Sequence, residues 1–149
     1  MPNPNPNKEF VFVLNDVARL FKTLADQRVR TLGMTRAQWA VLSRLERCEG
    51  LKQAELATLL DLAPISLTRL IDKLCEQGLV ERRLDAQDRR AFRLFLTPAA
   101  APVLERLAAL GRAVVKEVLE GVEPPMVAAM TAQLSRIKAN LKATLSETD

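Results

Sequence analysis

Residues 53–97 read QAELATLLDLAPISLTRLIDKLCEQGLVERRLDAQDRRAFRLFLT, and this stretch decides the fold of the chain. Its first part predicts a short helix over 52–60, a three-residue turn, and a second helix over 64–77 that begins with proline and is followed by glycine. Two strands are predicted next, at 79–84 and 92–96, and a polar loop joins them. The centre of the predicted fold is therefore a helix-turn-helix with a β-hairpin attached.

The second helix of this pair has one apolar and one polar face. Its apolar stripe follows the spacing i, i+3, i+4, i+7 and consists of Leu67, Leu70, Ile71 and Leu74. Its outward residues are small or charged, and those suited to DNA are Ser66, Thr68, Arg69 and Lys73. Arginine can pair with guanine in a major groove, and hydroxyls reach base edges or phosphates. The alternative interpretation is an ordinary helical hairpin with a charged solvent face.

The loop of the hairpin, residues 85–91, carries two adjacent arginines after an aspartate. An extended arginine on a narrow β-ribbon can enter a minor groove, whose negative potential attracts it. Asp88 is expected to stabilise the loop by accepting a hydrogen bond from an arginine or a backbone N–H. We expect Arg90 to bind Asp88 and Arg89 to enter the groove. The alternative is a solvated turn without a binding role.

Helices are predicted on both sides of this centre, which gives a mainly α chain with the order α-α-α-α-β-β-α-α. Their predicted ranges are 9–32, 35–47, 98–119 and 126–145. The first and the last two carry more apolar stripe than a domain this small can bury, so both chain ends are expected to form a dimer interface. A self-contained helical bundle is the alternative. Residues 1–8 begin MPNPNPN and are predicted to be a disordered tail.

Composition excludes several functions. The chain has 149 residues, a net charge of +4, no histidine and two cysteines, Cys48 and Cys75. The lack of histidine excludes histidine-dependent catalysis and histidine metal sites. The presence of only two cysteines disfavours a disulfide framework. No phosphate-binding glycine loop occurs in the sequence. We expect no enzymatic activity, no metal and no cofactor. The longest apolar run near the start, 10–14, is too short to span a membrane, so a cytoplasmic protein without membrane contact is expected.

The motifs together resemble the MarR family of winged-helix regulators, and most closely its SlyA branch. The matching pattern is T35-x-x-x-W39-x-x-L42, Q53-x-x-L56-A57, S66-L67-x-R69-x-x-D72-x-L74-x-x-x-G78-L79-V80-x-R82 and D88-R89-R90-x-x-R93-x-x-L96-T97. The family's usual glycine shortly after the Leu-Thr pair is replaced here by alanines at 99–101, which we interpret as a mark of the branch.

The resemblance implies one domain over 9–149, with a DNA-binding lobe at 35–97 and dimerisation helices at 9–34 and 98–146. It implies a homodimer that binds double-stranded DNA at a pseudo-palindromic operator, with Arg82 added to the DNA-contacting residues. Many such proteins are released by small aromatic acids or phenolic compounds. A site for such an effector would use Trp39 as a wall, with Arg19 and Thr35 binding its polar group. Trp39 packing in the core is the alternative.

A second class of function remains open at this point. The fold also suits a winged-helix protein-interaction module without specific DNA binding. Loss of Arg69 and of the loop arginines would mark such a module, and all three are present.

Overall fold

The computed structural model describes residues 5–147 and contains six helices and one two-stranded antiparallel sheet within that range. The elements in chain order are α1 Pro6–Arg30, α2 Arg36–Arg47, α3 Gln53–Leu59, α4 Pro64–Glu76, β1 Val80–Leu84, β2 Phe92–Leu96, α5 Ala100–Val118 and α6 Pro124–Ser146. The predicted order of elements is confirmed. No helix among the described residues is both long and apolar enough to cross a membrane.

The chain forms two compact units, 1–112 and 113–149. The first has a single core to which α1, α2, α3, α4, both strands and α5 contribute. Its fully buried large side chains are Val29, Val41, Leu42, Leu45, Leu56, Leu67, Ile71, Leu74, Leu94 and Leu107. The predicted apolar stripe of α4 and the buried residues Val41, Leu42 and Leu45 of α2 therefore supply the centre of this core.

The helical surfaces at the two chain ends are apolar and exposed. In the first unit, α1 exposes Phe10, Val11, Phe12, Val13, Val17, Leu20 and Phe21. In the second unit, α6 has no buried residue and exposes Met126, Met130, Leu134, Leu141 and Leu145.

The predicted boundary of the N-terminal tail is wrong by three residues. The helix begins at Pro6, not at residue 9, because Asn5 caps it: its side-chain oxygen accepts from the backbone N–H groups of Asn7 and Lys8 at 3.0 and 3.3 Å. Proline fits the first helical position, where no intrahelical donor is needed. The rest of the predicted tail, 1–4, lies outside the described residues.

The start of α5 also differs from the prediction. Helix α5 begins at Ala100, two residues later than predicted, and the Thr97 hydroxyl donates to the Gly78 carbonyl at 2.5 Å. Gly78 lies two residues after the end of α4 and has a left-handed backbone, with a φ of +72°. This bond therefore ties the end of β2 to the end of α4.

Candidate nucleic-acid interface

Helices α3 and α4 form the predicted helix-turn-helix. Leu56 of α3 and Leu67 of α4 are fully buried in the shared core. The turn closes through a bond from the Leu62 N–H to the Ala57 carbonyl at 2.9 Å, and Asp61 adopts a left-handed backbone with φ of 53°. The buried leucines leave the opposite side of α4 free for a ligand.

The exposed side of α4 carries most of the predicted DNA contacts. Ser66, Arg69 and Lys73 are exposed, and no hydrogen bond or ion pair engages their side chains within residues 5–147. Thr68 is exposed but occupied: its hydroxyl donates to the Pro64 carbonyl at 2.9 Å and accepts from the Gln53 side chain at 3.0 Å. The Thr68 hydroxyl therefore has no proton left for a base edge.

Arg82 lies in the middle of β1, and its surroundings differ from those of the other predicted contacts. Its side chain is only 24% exposed and donates to three protein acceptors. Nε donates to Gln53 Oε1 at 3.3 Å, and one terminal nitrogen donates to Asp72 Oδ1 at 2.5 Å and to the Thr68 carbonyl at 3.4 Å. Arg82 thus links β1 to α3 and α4.

The hairpin is held at its base by a buried aspartate that the sequence analysis did not identify. Asp85 follows β1 and is 5% exposed. Its Oδ1 accepts from the backbone N–H groups of Gln87 and Asp88 at 2.8 and 3.2 Å, and its Oδ2 accepts from Arg93 Nε at 2.7 Å. Arg93 also donates to the Gly50 carbonyl at 2.8 Å, which ties the hairpin to the segment before α3.

These contacts lower the pKa of Asp85 below its ordinary value of 3.8. The first cause is the backbone N–H of Gln87, and the side chain of Arg93 adds to it, while burial opposes both. The sequence held a signal for this role, because aspartate at the first position of a turn commonly accepts from backbone N–H groups two residues on. No comparable local signal in the sequence distinguishes Arg93 from the other arginines as the partner of Asp85.

Residues 50–52 extend the sheet. The Gly50 N–H donates to the Leu94 carbonyl, the Leu94 N–H donates to the Leu51 carbonyl, both at 2.9 Å, and Lys52 forms a bridge with Arg93. The hairpin is therefore attached along one edge to the segment that leads into α3.

The tip of the hairpin contains Asp88, Arg89 and Arg90, all exposed. Asp88 Oδ1 accepts from the backbone N–H of Arg90 at 3.0 Å. The expectation that Arg90 binds Asp88 through its side chain is wrong, since the bond comes from the backbone N–H of the same residue. Within the described part of the chain, neither the Arg89 nor the Arg90 side chain has a hydrogen-bond or ion-pair partner, so both are free to bind an anion.

Of the three residues predicted for an effector, only Trp39 lines the pocket in this region. Arg19 forms an exposed ion pair with Asp16 at 3.2 Å. Thr35 caps α2, its side chain accepting from the Gln38 N–H at 3.1 Å in a complete capping box. Trp39 alone remains as a candidate pocket wall.

A pocket does lie beside Trp39, and other cations line it. It has a volume of about 330 Å³ and is lined by Phe21, Lys22, Ala25, Arg36, Trp39, Ala40 and Ser43. Arg36 is bound to Asp26 at 2.9 Å, and the Trp39 ring also packs against Gly111, where an added Cβ would lie 3.2 Å from the ring. Trp39 therefore combines core packing with a place in a pocket wall.

Cys75 is free and lies partly buried against the core. Burial raises the pKa of the Cys75 thiol, which disfavours the reactive thiolate. Among residues 5–147, no group of three or more histidines, cysteines, aspartates or glutamates is arranged to hold a metal ion.

Comparison with known proteins agrees with this architecture. Residues 34–92 match the sequence model described as "MarR family". The chain is 36% identical to the transcriptional regulator PA3341, with a TM-score of 0.80, over 90% of this chain and 98% of that one. It is 25% identical to a MarR mutant from E. coli complexed with operator DNA, with a TM-score of 0.76, over 87% and 93% of the two chains. A MarR protein from Peptoclostridium difficile, 18% identical, shares the fold with a TM-score of 0.83 over 100% and 97%.

Proposed function

This chain belongs to the MarR family of winged-helix DNA-binding transcription regulators, and we propose that it binds a pseudo-palindromic operator as a homodimer. The observation that carries the proposal is the distribution of unpaired cationic side chains. Arg69 and Lys73 lie on the exposed side of α4, and Arg89 and Arg90 lie at the hairpin tip. These are the two places from which a winged helix-turn-helix reaches a major and a minor groove.

In this proposal Arg69 contacts a base and Lys73 contacts the phosphate backbone. Arg69 lies in the second turn of α4 and its guanidinium can pair with two acceptors of guanine, O6 and N7. Ser66, in the first turn, reaches a base edge or a phosphate. The hairpin arginines add minor-groove contacts at the flanks of each half-site.

Self-association is supported by apolar surface. A second copy of the chain would cover the exposed phenylalanines and valines of α1 and the exposed methionines and leucines of α6. A two-fold symmetric dimer then presents two recognition helices to two half-sites, which is why the operator is expected to be pseudo-palindromic.

The experiment is a selection of duplexes from a random pool, followed by gel-shift titration of the best duplex and of its isolated half-site. We expect an inverted repeat whose half-site centres lie about one helical turn apart, and much weaker binding of the half-site. Arg69→Ala should cost about 1–3 kcal/mol on the selected duplex. Recovery of no sequence preference would favour the alternative, a protein-interaction module.

An effector is the less direct part of the proposal. The pocket beside Trp39 combines an aromatic wall with the ammonium of Lys22, a combination suited to a small aromatic acid. Such a ligand weakens operator binding only if it binds one arrangement of the dimer better than the other. The assignment to the SlyA branch, which this response would fit, rests on the sequence resemblance. The expected cytoplasmic location rests on the sequence itself, whose apolar run at 10–14 is too short to span a membrane.

Salicylate tests this site. We expect it to change the fluorescence of Trp39, the single tryptophan, and to raise the operator Kd. Lys22→Gln should reduce both effects, whereas Arg19→Gln, which alters an exposed arginine already paired with Asp16, should not. No change of fluorescence and Kd at millimolar salicylate would remove the case for this class of ligand.

A further inference from the structure

We propose that Arg82 is a positioning residue that holds α4 and the hairpin in the register in which both reach DNA at once. It thereby determines how strongly the protein prefers its operator to random DNA. This inference rests on the proposed function and concerns a residue expected from the sequence to contact DNA itself.

The geometry directs Arg82 towards the protein. Its Nε and one terminal nitrogen make three bonds to acceptors on two helices, and its side chain is mostly buried. Gln53 completes a ring, because the same amide that accepts from Arg82 donates to the Thr68 hydroxyl. The ring Arg82–Gln53–Thr68, with Asp72 on its side, joins β1, α3 and α4.

The position of the ring matters as much as its bonds. Thr68 and Asp72 are one helical turn apart on α4, and each immediately precedes a proposed DNA contact, Arg69 and Lys73. Along the chain, Arg82 lies three residues before Asp85, whose carboxylate holds the base of the hairpin loop. The ring residues are thus close in sequence both to the proposed major-groove contacts and to the hairpin loop.

Charge supports positioning over direct contact. The Asp72 carboxylate, 2.5 Å from Arg82, offsets the positive charge that a phosphate would bind. Arg83, the next residue, lies on the opposite face of the strand, is 58% exposed, and stacks 4.0 Å above the Phe95 ring while bonding to Glu81. The two arginines carry equal charge in different surroundings, so each is a control for the other.

The energetic argument is one of preorganisation. Two contact sets on one rigid body bind as a unit, whereas two loosely joined sets must be ordered when the complex forms. Binding to random DNA depends mainly on phosphates and needs no simultaneous fit in both grooves. Loss of the ring should therefore weaken operator binding more than random-DNA binding.

The experiment compares Arg82→Gln with Arg83→Gln in the full chain. The probes are the duplex that the wild type selects from a random pool and a random-sequence duplex of the same length. We expect Arg82→Gln to weaken binding of the selected duplex about tenfold or more, which equals about 1.4 kcal/mol. Random-duplex binding and the dependence of log K on log salt should stay close to wild type. Arg83→Gln should leave the preference between the duplexes unchanged.

Footprinting at saturating protein supplies a readout that a general loss of affinity would not give. In the Arg82→Gln complex, protection of guanine N7 from methylation, which reports α4 in the major groove, should persist. Protection of the flanking minor groove from hydroxyl radicals, which reports the hairpin, should decrease. Equal retention of both protections would overturn the inference.

Two further results would also overturn it: equal effects of both substitutions on the two duplexes, or a salt slope for Arg82→Gln lower by about 0.9, the value of one lost phosphate contact. If Arg82→Gln does not fold, two other variants weaken the same network: Asp72→Asn removes the ion pair with Arg82, and Gln53→Ala removes the bonds to Arg82 and to Thr68. Each must lower the preference for the selected duplex, and an unchanged preference in both contradicts the proposal. If the wild type selects no duplex, the proposed function itself fails.

Discussion

At the scale of single residues, the hairpin tip separates a structural carboxylate from two free cations. Asp88 Oδ1 accepts from the backbone N–H of Arg90, and among residues 5–147 neither arginine side chain takes part in holding the loop. Both guanidinium groups are exposed and unpaired among residues 5–147. Substitution of either arginine should therefore weaken DNA binding and leave the fold unchanged.

We predict that Arg89→Ala weakens operator binding at least about tenfold, or about 1.4 kcal/mol, with the melting temperature unchanged. Arg90→Ala should also weaken binding, and since alanine keeps the backbone N–H, the loop should stay ordered. If the substituted arginine enters the minor groove, the loss of operator affinity should depend on the A·T content of the flanks, because a narrow, A·T-rich minor groove attracts arginine. Gel shifts at several salt concentrations measure both effects. Unchanged affinity and salt dependence in both variants would make the loop a solvated turn.

The buried carboxylate of Asp85 gives the hairpin a pH dependence. Its folded pKa lies below the ordinary 3.8, so the ionised form stabilises the fold. This contribution is complete above pH 3.8 and is lost as the pH falls through the lower folded pKa. We predict that Asp85→Asn lowers the melting temperature at neutral pH, and that its difference from the wild type narrows below pH 3.8. A difference that stays constant down to the acid limit would show that the charge of Asp85 does not contribute.

At the scale of elements, the start of α2 is the clearest case of a local stabilising motif. The Thr35 side chain accepts from the Gln38 N–H, and the Gln38 side chain accepts from the Thr35 N–H at 2.9 Å. Because Gln38 is only 2% exposed, its backbone N–H and its side-chain oxygen could not bond to water instead if the bonds to Thr35 were broken.

Thr35→Ala should therefore lower the free energy of unfolding by about 1 kcal/mol, within the range of about 0.5–2 kcal/mol for lost N-caps. Thr58→Ala is the matched control, because its hydroxyl only bonds back to the Ala54 carbonyl within α3; it should change stability by less than about 0.5 kcal/mol. Urea unfolding measures both. If Thr35→Ala abolished the response to salicylate at unchanged stability, the predicted effector role of Thr35 would be restored.

At the scale of the whole molecule, oligomeric state is the main prediction. Val17 is 54% exposed and belongs to the exposed apolar residues of α1. We expect the second copy of the chain to cover it in a dimer. Val17→Glu should shift the chain towards monomer in sedimentation at micromolar concentration, with helical content retained. Leu59→Glu introduces the same charge at an apolar residue of α3 that is 50% exposed, and this variant should stay dimeric. A wild-type monomer at that concentration would contradict the interface.

What the sequence alone determined was local. The alternation of apolar and polar positions, the proline that begins α4, the glycine after it and the threonine that caps α2 each act through neighbours within about one helical turn. For this reason the order of elements, the helix-turn-helix and the exposed arginines of the hairpin could be predicted. The extra turn at the start of α1 is not predicted by the composition of the Pro-Asn repeat, because it depends on the capping of the helix by Asn5.

Tertiary structure decided which of several similar side chains meet. Arg82 reaches Gln53 across 29 residues, Arg93 reaches Gly50 across 43, and Lys22 and Arg36, not Arg19, line the pocket beside Trp39. Before folding, every arginine of this chain is an equivalent long cation. Only the path of the backbone, set by burial of the common core, fixes which acceptor lies within reach of each. Contacts between distant residues depend on that path, so they became visible in the folded chain alone.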